Sequence, residues 1–158
     1  MDADEEQMLA EDRILAEDRI LAEELAALGA ASGGSGRLTG LVARLMRKNV
    51  HETDVHLPLP FDEAVRRVVA VFEGEGRRPV EFLAAEPGRD RVLLRVVTGG
   101  GVAGLNPVVV TARVTAGGEA GGSTVRLRAA AKEGLVRQRA GERTAARLAA
   151  SLGGRPNG

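Results

Sequence analysis

After residue 50 the chain either alternates apolar and polar side chains or repeats apolar residues at helical spacing, and this pattern restricts the possible folds most strongly. Apolar residues three and four apart predict one helix after Pro60 and another over residues 135–152. Alternation with a period of two predicts the five strands at residues 51–59, 80–85, 91–98, 108–115 and 123–130. The order strand, helix, four strands, helix therefore predicts an α+β domain.

The predicted α+β domain spans residues 50–153, and the order of its elements over residues 51–152 resembles that of the TBP-like and helix-grip (SRPBCC-like) folds. In those folds a curved antiparallel sheet carries a long C-terminal helix, and the resemblance implies the same arrangement here. The stretches DVHLPLPFDEAVRRV, LNPVVVTARV and AKEGLVRQRAGE, with twenty Arg against two Lys, also resemble uncharacterised proteins of actinobacteria. The resemblance implies a fold and assigns no activity.

The composition of residues 1–28 predicts an acidic helix that packs on another surface, in the same chain or in a partner. They contain ten acidic residues and two arginines, a net charge of −8, whereas the remaining residues carry +8. The segment LAEDRI occurs twice and is followed by LAEELA, but a six-residue step turns 240° on a helix and builds no continuous stripe. An acidic tail that only aids solubility is the alternative. The predicted apolar face of the helix consists of Ile14, Leu21, Leu25 and Leu28.

Two segments separate this helix from the domain. Residues 29–36 are rich in Gly and Ser, which is typical of a flexible linker. Residues 37–49 predict a short basic amphipathic helix that packs on the domain, with binding to a membrane surface as the alternative. Residues 154–158 form a tail.

The strand alternation also predicts a basic surface on one side of the sheet. If Val92, Val110 and Leu127 face the core, the opposite side carries arginines with a few apolar residues between them. This side is interpreted either as an ordinary solvated face or as a docking surface for an acidic helix or for nucleic-acid phosphate. The predicted surface comprises Arg91, Leu93, Arg95, Val97, Val109, Arg113, Arg126 and Arg128.

The helix-grip resemblance implies a second candidate site, between the sheet and the C-terminal helix, for a small apolar ligand. The alternative is that the same residues are simply core. Small side chains on the helix favour the core interpretation because they let the helix approach the sheet closely. The predicted lining consists of Phe82, Leu94, Val110, Leu127, Leu148 and Leu152.

Two motifs resemble known sites but lack the structural context those sites need. Residues 99–104 match G-x-G-x-x-G, yet a strand follows them where a dinucleotide fold needs a helix, so a hairpin loop is expected. Residues 51–56, HETDVH, concentrate both histidines of the chain. Alternation places Glu52, Asp54 and His56 on one face of a strand about 7 Å apart, but parallel side chains do not converge on a metal ion. We therefore predict no metal site.

Residue types and their pairing disfavour catalysis. The chain has no Cys, and no serine is placed beside a histidine and a carboxylate, so we predict no enzyme and no cofactor. The start, MDADEEQ, does not resemble a secretory signal, and no apolar run of about 18 residues occurs, so a cytoplasmic location is expected. An aromatic content of 2% and a neutral whole-chain charge count against nucleic-acid binding.

Together these patterns predict a noncatalytic protein-interaction module. Its acidic N-terminal helix would dock on the basic sheet face, in cis or by exchange between protomers, so a protein partner or self-association is expected. Binding of a small apolar ligand is the first alternative. Nucleic-acid binding through the arginine-rich face is the second.

Overall fold

The computed structural model describes residues 3–33, 46–86, 90–100, 105–117, 121–133 and 139–153. Within these ranges the chain forms three helices and five strands. In chain order they are α1 (Ala3–Ala31), β1 (Arg47–Leu57), α2 (Phe61–Glu75), β2 (Glu81–Glu86), β3 (Arg91–Gly100), β4 (Asn106–Ala116), β5 (Ser123–Glu133) and α3 (Ala140–Gly153).

The five strands form one sheet in the order β1-β5-β4-β3-β2, and every neighbouring pair is antiparallel. Successive strands from β2 to β5 are neighbours, whereas β1 reaches the far edge and pairs with β5. The α+β fold class, with its β-α-β4-α order and helix-grip topology, is confirmed.

The main core lies between one face of the sheet, which we call the inner face, and the helices α2 and α3. Val68 and Phe72 of α2 are fully buried there, as their helical spacing predicts. A Cβ added at Gly141 of α3 would lie 3.1 Å from the carbonyl oxygen of Ala129 in β5. A glycine at this position therefore allows α3 to approach the sheet closely.

Part of the predicted helix at residues 37–49 is wrong. Arg47, Lys48 and Asn49 belong to β1, and residues 37–45 lie outside the described ranges. The physical reason is a long-range partner, because β5 continues to Glu133 and pairs with the start of β1. Backbone pairing across the sheet overrides the local helical pattern, which concerns side-chain spacing alone.

The start of the predicted linker at residues 29–36 is also helical in the structure. Helix α1 continues to Ala31, because Ala30 and Ala31 are strong helix formers. The hydroxyl of Ser32 donates to the carbonyl oxygen of Leu28, and Gly33 takes a φ of +80° just after the helix. Residues 34–36, the tail at 154–158 and the start of the predicted last helix at 135–138 lie outside the described ranges.

In the part of the chain that the structure describes, no helix combines the length and the hydropathy needed to cross a membrane.

Candidate interaction surface

The side of the sheet that faces away from α2 and α3 carries the predicted arginines, and we call it the outer face. Side chains of directly paired residues point to the same side of a sheet. Arg95 is paired with Thr111, and Thr111 with Arg128. Arg113 is paired with Arg126 in the next row. Strand register therefore brings Arg95, Arg113 and Arg126 onto one face, while their sequence neighbours enter the core.

Helix α1 packs on part of this outer face in cis. Leu21 of α1 is fully buried and forms a small apolar cluster with Val97, Val109 and Ala130 from three adjacent strands. Ile20 and Val50 pack against the cluster. The apolar residues between the arginines are thus covered by the helix.

Acidic residues of α1 surround this apolar contact with ion pairs. Glu17 is 1% exposed, and its Oε1 accepts a hydrogen bond of 3.1 Å from Nε of Arg128. Its Oε2 lies 3.7 Å from Nζ of Lys48. Asp18 pairs with both lysines of the chain, Lys48 and Lys132, at 3.3 Å and 3.6 Å.

One more ion pair lies further along the helix, where Glu24 pairs with Arg78. Arg78 follows α2 and precedes the edge strand β2, whereas Lys48 lies on β1 at the other edge of the sheet. The acidic residues of α1 therefore pair with cations near both edges of the sheet. This is the charge complementarity that the −8 and +8 segments of the sequence predict.

The apolar face predicted for α1 is only partly the face that contacts the sheet. Leu21 is buried and Leu25 and Leu28 are half-buried, but Ile14 is exposed. Sequence reasoning missed Glu17 and Asp18, together with Lys48 and Lys132. The two lysines were a usable signal in the sequence, because they are the only lysines among 22 basic residues. In the structure both pair with Asp18.

The polar residues of β1 that suggested a metal site lie on the outer face as the alternation predicts, but two of them bind arginine. Asp54 accepts two hydrogen bonds from Arg126, of 2.8 Å and 2.9 Å. Glu52 accepts one of 2.9 Å from Arg128. Nδ1 of His56 lies 3.1 Å from the hydroxyl oxygen of Thr124. These cross-strand contacts occupy the carboxylates that a cation would need.

Pairing across the strands shifts the pKa values of Asp54, Arg126 and Arg128. The hydrogen bonds from Arg126 hold the pKa of Asp54 below the ordinary value of an aspartate, and they raise the pKa of Arg126 in return. Burial alone would lower the pKa of Arg128. Its hydrogen bonds with Glu17 and Glu52 outweigh burial and raise that pKa above the usual arginine value.

The residues predicted to line a ligand site do not share one environment. Phe82 is 63% exposed on the edge strand β2, so it does not join the others. An edge strand has a neighbour on one side only, which leaves this ring open to solvent. The other five are buried members of the main core, namely Leu94, Val110, Leu127, Leu148 and Leu152.

Four of those five have no accessible surface, and Leu152 keeps only a trace. A side chain without accessible surface borders neither bulk water nor a cavity that would hold a water molecule. These residues therefore behave as close-packed core in this structure, in agreement with the close approach of α3.

No protein-family model matches the chain, and no curated protein matches it in sequence. Among solved structures, an uncharacterised protein of Rhizobium leguminosarum has 11% identity and a TM-score of 0.42, over 67% of this chain and 92% of that one. The Zhui aromatase/cyclase of Streptomyces sp. R1128 has 16% identity and a TM-score of 0.35, over 68% and 93%. An Arabidopsis thaliana member of the major latex protein family has 13% identity and a TM-score of 0.33, over 65% and 95%.

The sheet order and the C-terminal helix of the chain itself establish its fold, independently of these similarities. Fold and surface together define an α+β protein of helix-grip topology whose outer sheet face carries its own N-terminal helix.

Proposed function

We propose that this protein is a noncatalytic protein-interaction module whose outer sheet face binds acidic amphipathic helices. In this proposal α1 is the resident occupant, and a similar helix of a partner or of a second copy replaces it. The single observation that carries the proposal is Glu17, a carboxylate buried to 1% exposure between Arg128 and Lys48.

The contact combines the two features that a helix-binding surface needs. An apolar side chain of the helix packs on a strip of Val97, Val109 and Ala130, and cations on both sides of the strip form ion pairs with the acidic residues of the helix. Apolar burial supplies affinity, and charges around it select the partner and its orientation. An acidic helix with a leucine three or four residues after a Glu-Asp pair fits this surface.

A noncatalytic role is supported by how the polar groups of the outer face are used. Glu17, Glu52 and Asp54 each accept hydrogen bonds from an arginine. A carboxylate whose oxygens are engaged by a guanidinium is not free to accept a hydrogen bond from a substrate, as a general base must.

Competition with a labelled peptide tests the proposal. A full-length Leu21→Asp variant should undock α1 while leaving the sheet face intact, since aspartate is costly to bury in the apolar cluster. A fluorescent peptide of residues 3–33 should then bind this variant at least about tenfold more tightly than the wild-type chain, a difference of about 1.4 kcal/mol measured by fluorescence anisotropy.

Matched variants make the result specific. Adding Arg128→Ala to the Leu21→Asp chain should weaken peptide binding, whereas adding Arg126→Ala should leave it nearly unchanged, because Arg126 pairs with Asp54 instead of α1. A peptide carrying Glu17→Arg should not bind. Equal binding to wild type and to Leu21→Asp, or binding to neither, would contradict the proposal.

Binding of a small apolar ligand between sheet and α3 is the alternative, and native mass spectrometry of the protein from its own host separates the two. A co-purifying apolar mass would favour the ligand, and a protein complex or oligomer would favour the module. The tight burial of Leu94, Val110 and Leu127 supports the module. Affinity for nucleic acid that falls steeply with salt would favour the second alternative.

A further inference from the structure

Helix α1 carries its docking sequence twice. The second repeat, EDRILA at residues 17–22, contains the buried Glu17 and Leu21 that hold α1 on the outer face. The first repeat, at residues 11–16, has the same six residues in the same order. The chain therefore offers a second time the acid and the leucine, four residues apart, that dock on the sheet.

The first repeat faces away from the sheet on which the second repeat is docked. A step of six residues turns about 240° on a helix, so the leucines of the two repeats point in directions about 120° apart. Because Leu21 points into the apolar cluster of the sheet, Leu15 points elsewhere, and it is 67% exposed. Ile14 is 40% exposed, whereas its counterpart Ile20 packs against the cluster. Two apolar side chains of a docking sequence thus remain in contact with solvent.

Helix α1 is also longer than the sheet that it crosses. Its 29 residues extend about 43 Å, whereas the axes of five strands span about 19 Å. Glu17 meets Lys48 on the edge strand β1, and Glu24 meets Arg78 next to the opposite edge strand. The helix therefore crosses the sheet from Glu17 onward, and its N-terminal half continues past the edge that β1 forms.

We propose that the first repeat is the segment that docks on the outer face of a second copy of this chain. This inference rests on the proposed function, because it uses the same surface and names a second copy as the partner. On that face Leu15 would take the position that Leu21 has in the resident helix. Glu11 would take the position of Glu17, beside two cations. Charge favours the encounter, since residues 1–16 carry −5 and the remainder of the chain +5.

The resident helix determines when this docking occurs. The second repeat is tethered to its own sheet, which gives it the advantage of a high effective concentration. The first repeat also binds more weakly, because Arg19 and Ala22 would lie where the half-buried Leu25 and Leu28 lie in the resident helix. An intact chain should therefore be monomeric at micromolar concentration. A chain whose outer face is open should capture an intact chain.

Capture of the wild-type chain by an open-faced variant tests the proposal. Leu15→Asp combined with Leu21→Asp disables both repeats, so this full-length receptor exposes its outer face and cannot cover it in cis. Sedimentation velocity of the fluorescently labelled receptor, titrated with unlabelled wild-type chain, should show a one-to-one complex. Leu15→Asp in the wild-type donor should weaken this complex at least about tenfold. The matched control is Ala27→Asp, which adds the same charge at an exposed position outside both repeats and should leave the complex unchanged.

A peptide of residues 3–33, added to the same receptor, separates this inference from the proposed function. If the peptide binds and the wild-type chain does not, only the inference is wrong. It is also wrong if the Leu15→Asp and Ala27→Asp donors bind equally well, because the donor then exchanges its second repeat. If neither the peptide nor the chain binds, both proposals are wrong. Should the two aspartates unfold the receptor, Leu15→Ala with Leu21→Ala takes its place, and the same order of affinities is expected.

Discussion

Glu17 is a carboxylate placed where solvent is almost excluded, and its charge is balanced by Arg128 and Lys48. Breaking a buried ion pair often costs about 3–5 kcal/mol, because the remaining charge is left without a partner. Here both cations keep a second acid, since Arg128 also pairs with Glu52 and Lys48 with Asp18. The cost of neutralising Glu17 should therefore be smaller.

We expect Glu17→Gln to lower the free energy of unfolding by about 1–2 kcal/mol, because the amide keeps the shape of the side chain and removes its charge. Urea unfolding followed by circular dichroism measures this change. Glu23→Gln is the matched control, because Glu23 forms only an exposed pair with Arg19 within α1 and should change stability little. Equal effects of the two substitutions would show that Glu17 is not a docking residue.

The exposed pair of Asp54 and Arg126 gives a prediction about pH. Because the folded chain lowers the pKa of Asp54, the pair stabilises the fold above the unfolded pKa of aspartate, and this contribution is lost as the pH falls through the folded pKa. A carboxyl-carbon NMR titration should give a lowered pKa for Asp54 in wild type and an ordinary one in Arg126→Gln. A pKa that is the same in both proteins would exclude the pair as the cause.

At the level of secondary structure, the repeat in α1 has a consequence for how the helix docks. The segment EDRIL occurs at residues 11–15 and again at 17–21, and the second copy contains the docked Glu17 and Leu21. Leu15, the counterpart of Leu21, is 67% exposed. A slide of six residues, about 9 Å along the helix axis, combined with the 240° turn that six residues make, would place the first copy on the same surface. Asp18 would then replace Glu24 beside Arg78.

We therefore expect Leu15 to take the position of Leu21 in the apolar cluster when the side chain of Leu21 is shortened. Leu15→Ala alone should change the free energy of unfolding by less than about 0.5 kcal/mol, because the side chain is exposed. Leu21→Ala should cost about 1 kcal/mol more when Leu15→Ala is also present than when it is not, since the second register is then weakened too. A double-mutant cycle by urea unfolding measures this coupling, and strict additivity would rule out the second register.

How far the sequence predicted these elements depends on the kind of interaction that forms them. The apolar spacing that ends at Phe72 and the alternation around Val92 are local, and both appear in the structure as predicted. The predicted start of β1 was wrong, because Lys48 lies in a helical sequence pattern and belongs to a strand only through its pairing with Lys132. The docking face of α1 was predicted only in part, since Glu17 is selected by cations that are remote in sequence.

The whole molecule joins two oppositely charged parts, and α1 covers part of the outer face and pairs with cations there. Residues 1–28 carry −8 and the rest +8, so the complete chain has no net charge. The rest of the protein, which we call the body, would expose the strip of Val97, Val109 and Ala130 if α1 were absent, and it would carry a strong positive charge. Charge would oppose self-association and the apolar strip would favour it, and salt decides between them because it screens only the charge.

Deletion of residues 1–33 should therefore lower the Tm by roughly 5 °C and produce self-association that increases with salt. The apolar strip would lose the cover of Leu21, and repulsion between bodies of charge +8 would be screened at about 0.5 M salt, where the Debye length is only about 4 Å. Differential scanning calorimetry and light scattering measure the two effects. Deletion of residues 1–12 is the control, because it keeps Glu17, Asp18 and Leu21 in place and should change neither quantity. A body that keeps its Tm and stays monomeric at every salt concentration would mean that α1 contributes nothing to this face.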